Sequence, residues 1–496
     1  MPTQAYTNSY SRVWFQEGGP GPSRARTYQG DWKAGSASWG RGDLTVIRQP
    51  DPDVYGQFIR VGRYRGEPSD PELPITARYP LQRSKLLRVA RGDCEHSLQI
   101  HMGQCENPQD FARGWQKAII LEGAAIRTWG TQDLGALGPN ENAPVNEDVP
   151  FVGTDLYEVV RMTFSEQTPT LVSREMTSVY VCDNQQCAAC GLASDGCQVV
   201  IALEGTVAAS PGQAPTVIYT RDGGATWAER PVSSLAANQI GNFIICAGAY
   251  AIVGSADAGN LNWILLSDLV TGAGSWTGVT TGQTTTTGVL AAWSLGATEN
   301  WFSGEAGFVY FSDDPTNGVV AKHSGSVTTQ DLNDIHAFDS NNIVAVGASN
   351  AVIRSTNAGV SWSLVTGPAV GVVLNAVWMR SANEWFVGAA NGNLYYTLDA
   401  GVTWTQKRFS GDGAGQVRDI VFATPSVGYM AHSTATPAGR IFRTIDGGYS
   451  WYLMPEGTGS IPTNSYVRSL AVCDDPNVVF GAGLGTGVDG FLVKGA

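Results

Sequence analysis

No block of basic residues occurs anywhere in this sequence, whose 31 Lys and Arg are outnumbered by 44 Asp and Glu for a formal charge of −13. Binding to a phosphate backbone needs clustered positive charge, so specific DNA or RNA recognition is not expected. Long apolar runs are missing too. The longest, Phe243 to Gly254, falls short of the roughly 20 residues a helix needs to span a bilayer. The opening MPTQAYTNSYSRVW has neither the basic n-region nor the apolar h-region of a secretory leader. These absences predict a soluble chain made in the cytoplasm, with no membrane partner. No GxSxG, HExxH or paired-acid motif stands out, and the chain is not expected to be an enzyme.

What the chain has instead is one short phrase, repeated. It reads TRDGGATW at Thr220 to Trp227, STNAGVSW at Ser355 to Trp362, TLDAGVTW at Thr397 to Trp404, and TIDGGYSW at Thr444 to Trp451. Degenerate copies around Asp268 and Asp313 fill the gap, so the phrase recurs every 42 to 47 residues. A fixed period of that size marks a repeat architecture. Within the phrase an Asp folds back onto nearby backbone N–H groups, Gly supplies a positive φ, and Ser/Thr-Trp starts the returning strand. Three short β-rich runs precede each phrase, as in LNDIHAFDSNNIVAVGASNAVIRSTNAG (Leu332 to Gly359) and LNAVWMRSANEWFVGAANGNLYYTLDAG (Leu374 to Gly401), and a fourth follows the Trp. Four antiparallel strands per repeat make a propeller blade.

Blades are expected at about 197–234, 239–282, 289–325, 332–367, 374–409 and 417–454, with a seventh from 467 that shows only three strands. The run MTSVYVCD (Met176 to Asp183) is the expected donor of the missing outer strand. Asp222, Asp399 and Asp446 read as structural turn acceptors, and Asn357 serves in their place because an amide oxygen accepts the same bonds. Trp227, Trp362, Trp404 and Trp451 are expected to fill blade interiors. Trp301 and Trp385, in ENWFSG and NEWFVG, read as blade core rather than as ligand platforms.

The phrase resembles the Asp box of sialidase-like propellers, and the whole-blade pattern looks like the photosystem II assembly propellers of that group over about residues 176–496. The resemblance implies an all-β chain with a seven-bladed propeller at 199–496. It implies no ligand, because the Asp box of that family lies on a hairpin away from the ligand face. Sialidases of the group use three converging arginines, a Tyr with a Glu partner, and an Asp. Here the Arg-Ile-Pro motif is absent ahead of the first box, and arginines are scattered beside boxes (Arg221, Arg354, Arg443), so no catalytic residues are assigned.

Charge sets the rest of the chain apart, since residues 1–190 carry 19 of the 31 Lys and Arg. Residues 1–42, including EGGPGPSRARTYQG, read as an extended arm, either disordered or ordered on a neighbouring subunit through aromatics such as Trp14, Tyr28 and Trp32. Strand runs follow at Asp43 to Gln49, Tyr55 to Tyr64, Leu73 to Tyr79, Ser97 to Met102, Lys117 to Trp129 and Leu156 to Phe164. One amphipathic helix is expected at about Gln82 to Arg91, and a polar loop at Gly138 to Asp148. The region 43–170 is therefore expected to be an antiparallel β-barrel or sandwich with one helix.

That order of elements resembles the tail tube subunits of long-tailed phages, which stack as hexameric rings. The resemblance implies a virion structural protein of the tail, assembling with itself into rings or a tube and meeting other virion proteins. Genome DNA would pass without specific binding, and the propeller would be displayed outward as a decoration or adhesion module for host-surface glycans. The alternative is a soluble Asp-box propeller acting as an assembly scaffold or glycan-binding module.

Between the domains, 171–198 forms a Cys-rich linker and closing strand. Cys182, Cys187, Cys190 and Cys197 fit two disulfides, a tetrahedral Zn site, free thiols or an iron-sulfur cluster; otherwise no cofactor is expected. His96 and His101 face opposite sides of a strand, and Cys94 and Cys105 lie too far apart along an extended chain to bond without a turn. Cys246 and Cys473, inside apolar runs, read as buried inert thiols.

Overall fold

A computed structural model describes residues 11–16, 19–32, 48–50, 58–60, 72–78, 96–102, 117–122, 125–126, 146–152, 155–160, 162, 164–167, 175–182, 198–205, 214–235, 239–255, 261–279, 287–410, 413, 415–433, 439–454, 461–462, 465–473, 475–485 and 490–495. Nearly all of its elements are strands. The chain divides into two compact units, one of Met1–Arg161 with Pro425–Val427 and Thr444–Tyr452, the other of Met162–Thr424, Gly428–Arg443 and Leu453–Ala496.

In the first unit a five-stranded antiparallel sheet runs in the order Asp155–Val160, Lys117–Glu122, Ser97–Met102, Ser11–Gln16, Arg26–Trp32. Two further sheets join Glu72–Arg78, Asn146–Val152 and Ala125–Ile126, and Arg48–Pro50 with Phe58–Arg60. The expected arm is corrected by this pairing. Ser11–Gln16 lies between Arg26–Trp32 and Ser97–Met102 of its own chain, where a full ladder satisfies the backbone better than water does. Of the expected polar loop, residues 146–148 belong to the strand Asn146–Val152, and 138–145 lie outside the described residues. Leu98, Ala118, Ile120, Leu121, Tyr157 and Val159 are buried in this unit. Glu122 is buried among them, and burial pushes its carboxyl up against the hydrogen bonds it accepts from Tyr157 and Ser426. The amides of Gln16 and Gln99 donate to the carbonyls of Asp446 (3.0 Å) and Ile445 (2.7 Å). The expected helix at 82–91, Cys94 and Cys105 lie outside the described residues.

The second architecture is a seven-bladed β-propeller, each blade a four-stranded antiparallel sheet. Blade 1 starts with Met176–Cys182, and the innermost strands of blades 2 to 7 are Gly241–Ala247, Val289–Ser294, Leu332–Ala337, Leu374–Met379, Gln416–Phe422 and Tyr466–Val472. The ring closes differently from the expectation. Met176–Cys182 is the innermost strand of blade 1, paired with Val199–Glu204, and the outer strand of blade 7 is Phe164–Glu166, paired antiparallel with Gly490–Gly495. The propeller therefore starts near residue 164 rather than 199. The run Leu156 to Phe164, read as one strand, splits: Asp155–Val160 stays with the first unit and Phe164 packs, 3% exposed, in blade 7.

The Asp boxes are turns held by side chains. In blade 5, Asp399 Oδ1 accepts the Thr397 hydroxyl at 2.8 Å and the Thr403 N–H at 2.8 Å, and the Gly401 N–H donates to Thr397 Oγ1 at 2.8 Å. Asp222 and Asp446 repeat the arrangement. Asn357 does so with its amide oxygen and uses its amide nitrogen to donate to Ser361 Oγ at 2.8 Å. In blade 2 the degenerate copy around Asp268 has become a short helix, Leu266–Thr271, ended by Gly272 at φ 77°.

Trp227, Trp362 and Trp404 pack at the seams between blades rather than inside one blade and are partly exposed, whereas Trp451 is buried. Trp362 of blade 4 meets Trp301 of blade 3 edge-on at 6.4 Å, and Trp404 of blade 5 donates to Thr366 O of blade 4 at 2.7 Å. Trp227 packs partly buried against the cluster that includes Phe480 and Leu492 of blade 7. Trp301 and Trp385 are buried core, each 1% exposed.

Cys182 is bonded to Cys246, with Cα atoms 5.6 Å apart, which joins the inner strands of blades 1 and 2. Cys473, at the end of the inner strand of blade 7, is also disulfide-bonded. Cys182 is thus no Zn ligand, and Cys246 and Cys473 are not free thiols: the ring sets the inner strands of blades 1 and 2 side by side and so brings together Cys182 and Cys246, which are remote in sequence. Cys187, Cys190 and Cys197 lie outside the described residues.

Candidate functional site

The inner strands enclose a central channel, a cavity of about 630 Å³ lined by residues of all seven blades. A β-bulge opens every one of these strands, the register slipping at Thr177, Asn242, Leu290, Asn333, Asn375, Arg418 and Arg468. Strands facing a channel have one edge without a strand partner, so their N–H and C=O groups need other acceptors and donors.

Side chains of the preceding blade supply them. At the bulge, Asn242 donates to Val289 O (2.8 Å), Asn333 to Leu374 O (2.9 Å) and Asn375 to Val417 O (3.0 Å). One residue on, Asp334 accepts the Val377 N–H and Asp419 the Leu470 N–H, both at 2.7 Å, and Ser469 accepts the Val179 N–H at 3.3 Å, which ties blade 7 to blade 1. The second oxygen of each aspartate takes its neighbour's N–H, Ile335 at 2.8 Å and Ile420 at 2.7 Å.

Two residues further, blades 3 to 5 present an aromatic cluster. The His336 ring lies 4.0 Å from Trp293 and 4.4 Å from Trp378, centroid to centroid. Burial pulls the imidazole down to about 3, so it is neutral, and its Nδ1 accepts the Met379 N–H at 3.4 Å. Burial also raises both aspartates. Asp419 reaches about 6 against its backbone hydrogen bonds, and Asp334 goes well above the usual carboxylate range, with the charge of Asp419 adding to the effect.

No family model matches this chain, and no curated protein matches it. Among solved structures, YCF48 from Cyanidioschyzon merolae matches with a TM-score of 0.50 at 13% identity, over 67% of this chain and 98% of that one. The chain shares its propeller fold with YCF48. A structure of YCF48 bound to D1 peptide matches with a TM-score of 0.49 at 14% identity, over 68% of this chain and 97% of that one.

The arginines beside boxes, absent from the channel lining, are inter-blade ties. Arg221 donates to Val270 O (3.5 Å), Arg354 to Ala382 O (3.4 Å) and Arg443 to Pro476 O (3.0 Å), each in the next blade. The channel mouth at the bulge level holds a different pair. Arg468 binds Glu175 Oε1 at 2.8 Å, Tyr466 donates its hydroxyl to the same oxygen at 2.8 Å, and the Arg418 guanidinium lies 4.1 Å from the Tyr466 ring centroid. Sequence reasoning singled out none of these channel residues. The signal was there in LND, LNA and VRD, the triplets that open the inner strands of blades 4, 5 and 6.

No cluster of His, Cys, Asp and Glu able to hold a metal occurs among the described residues, and no helix among them is long and apolar enough to cross a membrane.

Proposed function

We propose that this protein is a non-enzymatic binding propeller, an assembly scaffold that holds a segment of a partner protein in its central channel. One observation carries the reading: a cavity of about 630 Å³ whose lining aspartates and asparagines, Asp334, Asp419, Asn242, Asn333 and Asn375, are engaged in capping the edges of neighbouring blades. Groups fixed in this way hold the backbone of the next blade, and so shape and rigidify a pocket. No metal or cofactor is proposed for the channel.

The test is a cellulose-bound array of random 12-residue peptides probed with the full chain and with a Leu290→Trp variant, whose side chain narrows the mouth. A subset of peptides bound by the parent and lost in the variant, with thermal unfolding unchanged, supports the reading. An array with no bound peptide, or binding indifferent to Leu290→Trp, overturns it. The virion reading, with tail tube rings and a glycan-binding display propeller, rests on the order of N-terminal elements and is the lesser one. The segment invoked for docking on a neighbouring subunit pairs within its own chain.

A further inference from the structure

At the bulge of the inner strand, Asn242, Asn333 and Asn375 each reach a carbonyl of the following blade. Arg418 occupies that same place in blade 6 and reaches none. It is half-buried in the channel wall, its Nε is buried without a partner, and it makes no hydrogen bond or ion pair with any described residue. Its contact is with the face of Tyr466, 4.1 Å from the ring centroid, which orients the guanidinium without supplying an acceptor.

The neighbouring groups do not fill that need. Glu175 Oε1 takes both Arg468 and the Tyr466 hydroxyl, each at 2.8 Å, and the carboxylate acts on Arg418 through its charge, with no hydrogen bond or ion pair to it. Asp419, next in sequence, has its oxygens on the Leu470 and Ile420 N–H groups, both at 2.7 Å. Two guanidiniums thus stand near one carboxylate at this mouth, and only Arg468 is bonded to it. A partly desolvated arginine without an acceptor is costly in a protein that has no use for it, and its planar fork matches a carboxylate through two parallel hydrogen bonds.

We infer that Arg418 is the receptor for a carboxylate carried by the ligand of the channel, seated beside the Arg468–Glu175 pair that already shows how this mouth holds one. The inference rests on the binding role proposed above. The carboxylate belongs to a peptide, either at an acidic side chain or at its C-terminus, and Tyr466 holds the guanidinium in place for both.

Calorimetric titration of the full chain tests this with N-acetyl-hexaglutamate amide, which has side-chain carboxylates only, and with N-acetyl-hexaalanine bearing a free C-terminal carboxylate. Inorganic phosphate serves as the competing anion. Binding of one of the two peptides, weakened at least tenfold in Arg418→Gln and only partly restored in Arg418→Lys, is expected, whereas Lys322→Gln in blade 3 leaves it unchanged. The peptide that binds identifies the source. Failure of both peptides to bind, equal affinity in Arg418→Gln, or phosphate binding more tightly than either peptide overturns the assignment. Array peptides that need an open channel yet bind Arg418→Gln as well as the parent would sink the carboxylate receptor while leaving the scaffold reading intact.

Discussion

The Asp334 carboxylate accepts the backbone N–H of Val377 at 2.7 Å across the seam between blades 4 and 5, and Asp419 makes the same contact with Leu470 between blades 6 and 7. These are carboxylates used as edge caps, and their burial sets an unusual pH dependence. Asp419 sits at about 6 when folded against an ordinary 3.8, so between those values the folded chain holds more protons than the unfolded one. Its contribution to stability is then full below about pH 4, falls as pH rises through 6, and is flat above. Asp334 acts in the same direction. Melting temperature should decline from pH 4 to pH 6.5, and Asp419→Asn should flatten that slope while costing about 1 to 3 kcal/mol for the N–H left facing an amide.

The box carboxylate titrates with the opposite sign. Burial works against ionisation of Asp222, but hydrogen bonds from Thr226 and Thr220 outweigh it and bring the group from 3.8 down to about 2. Its stabilisation is present above about pH 4 and is lost as pH falls through 2. Acid unfolding of Asp222→Asn should accordingly lose steepness between pH 4 and pH 2, with little change at pH 7, because Asn357 already fills this role in blade 4.

The first turn residue after the box Asp or Asn is left-handed. It is glycine in two boxes, Gly223 and Gly447 at φ 66° and 67°, and alanine in two others, Ala358 and Ala400 at φ 55° and 58°. A left-handed alanine costs roughly 1 to 2 kcal/mol, partly offset by the entropy that glycine loses on folding. Ala358→Gly and Ala400→Gly should gain from zero to about 1 kcal/mol in urea unfolding. The next position behaves differently: a Cβ on Gly359 would lie 2.9 Å from the Trp301 ring, and Gly359→Ala should destabilise.

Phe164 anchors the strand that completes blade 7. It is 3% exposed, and a Cβ on Gly495, its partner in the pairing, would stand 2.8 Å from its ring. Phe164→Ala should cost about 3 to 5 kcal/mol. Hydrogen exchange should accelerate at Leu492 and Lys494, whose backbones face the closing strand, before it does so in blades 3 to 5; uniform acceleration would argue against a local opening.

The bond between Cys182 and Cys246 closes a loop with a sequence separation of 64. A cross-link of that span stabilises by about 2 to 4 kcal/mol. The double variant Cys182→Ala/Cys246→Ala should show that loss in unfolding at pH 7, and a reductant should lower the melting temperature of the parent more than that of the variant.

The fold could be read from the sequence because one blade has to be written again and again, and the box at Asp222, Asn357, Asp399 and Asp446 is a local device whose bonds span four residues. What escaped is what depends on the ring. Asn333 and Asp334 read as ordinary polar positions of a strand, and nothing local says that their partners stand some 41 to 43 residues away in the next blade. The same holds for Cys182, read with its near neighbours in sequence when its partner is on the adjacent inner strand. The closing strand was misplaced because Met176–Cys182 and Phe164–Glu166 are both short β-rich runs ahead of the first box. Only pairing with Gly490–Gly495 separates them.

That closure has a consequence for biosynthesis. Ser165 and Lys494 face each other across a separation of 329 residues, so the strand that seals the ring leaves the ribosome long before its mate. Blades 1 to 6 can stack one after another as they emerge, each local in sequence, while Phe164–Glu166 waits with an unpaired edge for several hundred codons. The interval in which this chain is open to misassociation is therefore fixed by translation speed. A stall late in the message would leave six blades built and a seam exposed.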